Sequence, residues 1–426
     1  MKLWDKGYTV NNLVEKYTVG KDRELDLHLA PYDVQGNIAH AKMLHKIGIL
    51  SQEELDDLLR GLAEIQSEIE AGTFEIEAQF EDVHSKIEFA LVEKIGEAGK
   101  KIHTARSRND QVLVDLHLYT KDQLQGIREQ VVRLFEALLE AAARHQDHLM
   151  PGYTHLQVAM PSSYGLWFGA YAESLIDDVA MLNAALHIAD QNPLGSAAGY
   201  GSSFPIDREL TTELLGFQTM KYNVVAAQLS RGKLERLTGY ALASLAATLG
   251  KFASDVCLFM SQNFDLISLP KELTTGSSIM PHKQNPDVFE LMRARCNKIS
   301  NLPAEVSLIT TNLTHGYHRD FQLLKENLIE AIRSTQDNLE VAAFVIPHIR
   351  INENVLDNPI YDYLYSVEEV NRRVLEGMSF REAYRQLGEE IMQGNFQPEK
   401  AIRHTHAGSI GNLCLHEIRQ KMQRLI

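Results

Sequence analysis

Cysteine is scarce: Cys257, Cys296 and Cys414 are the only three in 426 residues. Thiols so few and so widely spaced exclude a disulfide framework and a cysteine metal cluster, and fit a chain kept in a reducing cytoplasm. Positive charge is also in deficit, with 42 Lys and Arg against 57 Asp and Glu and a net charge of −15. That balance excludes holding nucleic acid through bulk charge, so an anionic substrate needs a local basic pocket. No unbroken apolar run reaches the ~20 residues of a bilayer span, and Met1-Lys2-Leu3-Trp4-Asp5-Lys6 sets charges where a secretory signal needs apolar residues. Neither a membrane nor export is expected. The chain also lacks a Rossmann or Walker glycine motif, metal-ligand spacing, an alternating βα pattern and an internal repeat. No cofactor and no metal are expected.

Proline is absent over long stretches: Pro31 to Pro151, Pro205 to Pro270 and Pro303 to Pro347. An interior proline costs a helix about 3 kcal/mol, so such gaps permit long helices. In the first gap Leu124, Ile127, Val131, Leu134, Phe135 and Leu138 recur at steps of three and four, which predicts one buried stripe on a long helix. The second gap is rich in small residues from Leu234 to Met260, and a helix of that kind can bury most of its circumference at the centre of a bundle. A further helix is expected from Asn285-Pro286, with asparagine as cap and proline in the first turn, through Phe289, Met292, Cys296 and Ile299. Strand patterns are sparse. The fold class expected is mainly α, a long-helix bundle.

Four polar segments break this pattern, and a helical core has no packing use for them. His103-Thr104-Ala105-Arg106-Ser107-Arg108-Asn109-Asp110-Gln111 sets two guanidiniums among hydroxyls and amides, a clamp suited to carboxylates, although Asn109 or Asp110 could equally cap a helix. Met150-Pro151-Gly152-Tyr153-Thr154-His155-Leu156-Gln157 holds a Thr-His pair on a turn, where an imidazole can move a proton. Residues 192–205 form a Gly/Ser loop that could bind anions through its amides or merely connect. The most specific is Gly276-Ser277-Ser278-Ile279-Met280-Pro281-His282-Lys283-Gln284-Asn285-Pro286. Its pattern, GSSxMPxKxNP, is too particular for an accidental turn.

With this loop the chain resembles the fumarase/aspartase superfamily, whose members eliminate fumarate from succinyl-bearing substrates. HTARSRNDQ at 103–111, PGYTHLQ at 151–157, PLGSAAGYGSSFPIDRE at 193–209, and Tyr317 followed by Gln322 and Lys325 are most similar to the argininosuccinate lyase family. Glu81-Asp82-Val83-His84 and the stretch 377–383 are similar too, so the resemblance spans nearly the whole chain. Departures are Ala105 for a usual glycine, His282 for glutamine, Gly232 for aspartate after Arg231, Trp4-Asp5-Lys6-Gly7 for Trp-Gly-Gly, and no clear counterpart of a serine near residues 18–22. MPHKQNP leans towards adenylosuccinate lyase, the enzymatic alternative. A crystallin-like structural protein of the same fold is the non-catalytic one.

The resemblance implies a three-part subunit, divided as 1–105, 106–350 with the central bundle, and 351–426, in a homotetramer whose active sites are shared between chains. It implies a small-molecule substrate, argininosuccinate, giving arginine and fumarate. By resemblance Ser277 is the general base, and Lys283, with Asn285 and the loop amides, stabilises the doubly charged aci-carboxylate. His155, with Thr154 beside it, attends the leaving nitrogen. Ser107, Arg108, Asn109, Asp82, Gln157, Tyr317, Gln322 and Lys325 are the expected substrate-binding residues.

Overall fold

The computed structural model describes residues 11–426, so Trp4-Asp5-Lys6-Gly7 lies outside the described residues. The chain is mainly helical, and its strands form three two-stranded sheets among the described residues. Contacts group it into two units. The helices Arg108–Arg144, Tyr164–Ala189, Lys233–Phe259 and Leu324–Val345 each contribute residues to both.

The first unit takes residues up to Ile127, Met181–Ala243 and Lys298–Ser334. Its core forms where the helices Ala30–Lys46, Gln52–Glu70 and Val83–Ile95 bury Leu44, Leu58, Leu62, Ile65, Ile87 and Leu91 around Phe80. The local signals are strong: Ser51 accepts from the Glu54 amide at 3.2 Å while Glu54 accepts from the Ser51 amide at 2.9 Å, closing a capping box. Pro31 sits in the first turn of its helix, where no amide hydrogen is missed. A short parallel pair, Gln191–Asn192 with Thr219–Met220, flanks the Gly/Ser loop.

The second unit comprises Arg128–Ala180, Ser244–Asn297 and Thr335–Ile426. Its aromatic centre has Trp167 stacked on Phe252 with centroids 5.4 Å apart, while the Trp167 indole and the Tyr171 hydroxyl both donate to Asp255. Near the C-terminus, Ser379 caps the helix Phe380–Met392, and Ala383 and Leu387 pack on Val370.

All six residues of the Leu124–Leu138 stripe are buried, as are Phe289, Met292, Cys296 and Ile299. That last helix starts at Asp287, because the Pro286 carbonyl takes the first helical bonds from Phe289 and Glu290 and the Asn285 side chain turns elsewhere. By length and composition alone Lys233–Phe259 passes as apolar enough to cross a membrane, although Arg236 and Lys251 interrupt it. Its Leu242, Leu245, Leu249, Phe252 and Val256 are buried inside the protein.

Candidate active site

In the first unit a cavity of about 300 Å³ opens beside the start of the helix Arg108–Arg144. Ser107 accepts from the Asn109 amide, and its own amide donates to Asp110 at 2.9 Å, so this helix start is capped from both directions. The other Asp110 oxygen accepts from the amides of Gly195 and Ala197 at 3.1 and 2.8 Å. Asp110 is therefore a buried tie that fixes the Gly/Ser loop, and Arg108 and Asn109 are left to face the cavity. Arg106 instead points inward, donating to Asn37 at 2.6 Å.

Arg108 is paired with Asp82 at 2.5 Å, and the same Asp82 oxygen caps the helix Val83–Ile95 by accepting from Ser85. Burial opposes ionisation of Asp82, but the Arg108 charge and the Ser85 bonds outweigh it and hold the carboxyl below the usual range. His103 also lines the cavity, and burial, with Arg106 and Arg108 nearby, pushes its imidazole down to about 4. It is neutral at physiological pH.

The opposite wall carries Tyr317, Gln322 and Lys325, the last near the start of Leu324–Val345. Lys325 is buried between Asp26 at 2.6 Å and Asp22 at 2.8 Å. Burial disfavours its charge, yet the two carboxylates outweigh that and raise its pKa. Asp26 also accepts from the Val83 amide, whereas burial drives Asp22 up to about 6 despite Lys325. The Gln322 amide donates to the carbonyls of Thr18 and Val19, and Arg319 bridges Thr18 to Glu81. The 18–22 stretch thus reaches the cavity through backbone carbonyls and Asp22. Arg231 donates to the Phe321 carbonyl and pairs with Glu235. The next residue, Gly232, sits at φ +78°, and a Cβ there would lie 2.8 Å from Thr310. An aspartate there would be strained and would require the Thr310 side chain to shift.

Behind the wall, His84 bonds Asp33 at 2.7 Å and lies 3.6 Å from Asp115. These three offer ligand atoms within 4.8 Å of one another. Burial and the Asp33 charge push the Asp115 carboxyl well above the usual range, and the Asp33–His84 bond accounts for the close approach. Asp22, Asp26, Arg319 and this trio were missed in the sequence. The one local signal was Asp22 and Asp26 standing one turn apart on a single helix.

Thr154, His155 and Gln157 belong to the second unit, at the tip of the hairpin Leu149–Thr154 and Gln157–Ser163. Thr154 pairs with Gln157, leaving His155 and Leu156 as a two-residue turn, both at positive φ (54° and 57°). Type I′ turns need that geometry but favour Asn and Gly, so a His-Leu turn holds strain of ~1–2 kcal/mol per residue. All four tip residues are exposed, and His155 and Leu156 border a second cavity of about 560 Å³ with Trp167, Asp255 and Phe259.

Ser277, Lys283 and Asn285 lie on the third piece, also in the second unit. The Thr275 and Asn285 backbones pair, closing the loop at its neck, and the Asn285 amide reaches back to Thr275 and Gly276. The Ser277 hydroxyl oxygen accepts from the amides of Ile279 and Met280 at 3.4 and 3.2 Å. Lys283 is exposed and has no ion-pair partner among the described residues. The expected site residues therefore fall into three groups: the cavity gathers Asp82, Arg108, Asn109, Tyr317, Gln322 and Lys325 with Ser107 supporting it, and the hairpin tip and loop carry the rest.

A family described as Lyase matches residues 8–300. Argininosuccinate lyase of Bacteroides fragilis is 54% identical over 425 residues, covering 100% of this chain and 95% of the relative. That of Thermotoga neapolitana is 43% identical over 390 residues, covering 91% and 98%. Among solved structures, a variant of EDDS lyase with bound fumarate superposes with a TM-score of 0.77 at 22% identity, covering 99% of this chain and 90% of that one. Its likeness establishes the fold. Identity at this level along the whole chain means that the chain belongs to the argininosuccinate lyase family of the fumarase/aspartase superfamily.

Proposed function

We propose that the protein reversibly splits argininosuccinate into arginine and fumarate. The observation that carries this reading is the intact 276–286 loop, with Ser277, Lys283 and Asn285 on one closed and exposed turn, in a chain of this family. A carbon next to a carboxylate gives up a proton only if the new charge on that carboxylate is stabilised more than the substrate's own. Lys283, unpaired and beside the loop amides, supplies that charge. Ser277 takes the proton: two amides aimed at its oxygen favour the alkoxide over the hydroxyl. His155, aided by Thr154, protonates the departing guanidino nitrogen, and Gln157 orients the substrate from the same tip. Ser107, Arg108, Asn109, Asp82, Tyr317, Gln322 and Lys325 hold the amino-acid end in the cavity.

The same proposal takes the chain to be a cytoplasmic homotetramer, divided near residues 105 and 350, whose sites are completed by neighbouring chains. In support, the hairpin tip exposes Thr154, His155 and Gln157 and the loop exposes Lys283 beside a half-buried Ser277, as segments that finish another chain's pocket would. His282 is the residue that leans towards adenylosuccinate, and similarity along the whole chain runs to argininosuccinate lyases instead. Chromatography of the products tests the reading: arginine and fumarate should appear in equal amounts, and a correctly folded protein that leaves argininosuccinate intact is a structural relative only.

A further inference from the structure

The cavity wall around Lys325 holds a carboxylate in surplus. Arg108 is matched by Asp82, Arg319 by Glu81 and Arg231 by Glu235. Lys325 is matched by Asp26, which it approaches at 2.6 Å and which the Val83 amide holds from its other oxygen. Asp22 shares that already neutralised lysine at 2.8 Å, and it lines the cavity with its side chain 10% exposed. A buried carboxylate without a cation of its own is unfavourable, and a cationic ligand group placed against it removes the deficit. The pKa of Asp22, raised to about 6 by burial despite Lys325, is the same deficit seen in titration.

We propose that Asp22 is a specificity-determining residue that receives the α-ammonium of the amino-acid end of the substrate. This rests on the lyase reading, under which the substrate has two cationic groups. Its guanidinium adjoins the bond that breaks, and belongs with Ser277 and His155. Its ammonium lies at the far end of a flexible chain, and in this cavity it finds an acid in need of a cation. Charge-assisted bonds of this type are short and roughly twice as strong as neutral ones, so they discriminate against a ligand lacking the donor.

Calorimetric binding of arginine, with 5-guanidinopentanoate as the matched ligand without the ammonium, separates this from a structural role. Asp22→Asn should weaken arginine by about tenfold or more, Asp22→Glu should recover most of the loss, and 5-guanidinopentanoate should bind the parent and Asp22→Asn alike. Equal weakening of both ligands, or of neither, overturns the assignment, as does the absence of arginine binding to the parent protein. Because binding is read without turnover, a parent protein that binds arginine but releases no fumarate contradicts the lyase reading and leaves the ammonium site standing.

Discussion

A carboxylate buried against a shared lysine is held for function at a cost to folding. The Asp22 carboxyl is raised from 3.8 to about 6, so the folded state binds its proton more tightly than the unfolded one. Its ionised form therefore lowers stability above pH 6, and the penalty fades as the pH falls towards 4. Asp22→Asn should accordingly unfold later than the parent at pH 7.5, by about 1–3 kcal/mol in denaturant titration, with the gap closing by pH 4.5. Lys325 keeps its charge in that variant, since Asp26 remains. Ser277→Ala should leave KM near the parent value while lowering kcat by about 10²–10⁴-fold, because in the proposed mechanism the lost oxygen acts on the proton in flight. Lys283→Met should impair both, and Ser278→Ala, the control, should be mild. Ala105 stands at φ +64°, where the family's glycine would be unstrained. Ala105→Gly should add about 0.5–1 kcal/mol, the relief of a left-handed alanine less the extra freedom of the unfolded glycine.

At the scale of elements, the sequence is most legible where burial is periodic. The Leu124–Leu138 stripe lies at helical spacing and is buried without exception, and the proline gaps mark out long helices that the structure contains. The hairpin was hidden because its turn carries His155-Leu156, not turn chemistry, and its fold comes from the pairing of flanking strands. The proposed role of His155 fits the misfit: a strained turn holds an imidazole at an exposed tip. Leu156→Asn, which tolerates positive φ, should therefore raise stability by about 1 kcal/mol in thermal unfolding, and an unchanged or lower stability would show that the leucine is held by contacts and not merely endured. The buried trio Asp33, His84 and Asp115 was illegible for another reason: its members are far apart in sequence, and only tertiary packing pairs them. Gly232 and Ala105 read as departures from a pattern until their φ values gave one a cause and the other a cost.

For the whole molecule, the residue types of the candidate site were readable and their grouping was not. Asp82, Arg108 and Lys325 come from three separated helices yet line one cavity, while Ser277 and His155 stand on exposed turns. In the small-residue helix Leu242, Leu245 and Leu249 are covered within the chain, while Leu237 and Leu258 are half-buried and Tyr240 is exposed. Leu291, Leu308 and Phe344, at 61%, 77% and 59% exposure, are among the exposed apolar side chains that an assembly could bury. Mixing Ser277→Ala with His155→Asn should restore activity in hybrid tetramers, because some sites then draw both residues from intact chains, and no recovery after confirmed subunit exchange would mean each site is built within one chain.

The central claim, that this chain acts on argininosuccinate, is tested most directly by the ultraviolet absorbance of fumarate, followed in parallel with argininosuccinate and adenylosuccinate in the presence of a metal chelator. The account predicts fumarate from argininosuccinate, undiminished by the chelator, with kcat/KM at least about 10⁴ M⁻¹s⁻¹ and orders of magnitude above that for adenylosuccinate. Preferential cleavage of adenylosuccinate, or activity lost to the chelator and restored by a metal, would contradict it.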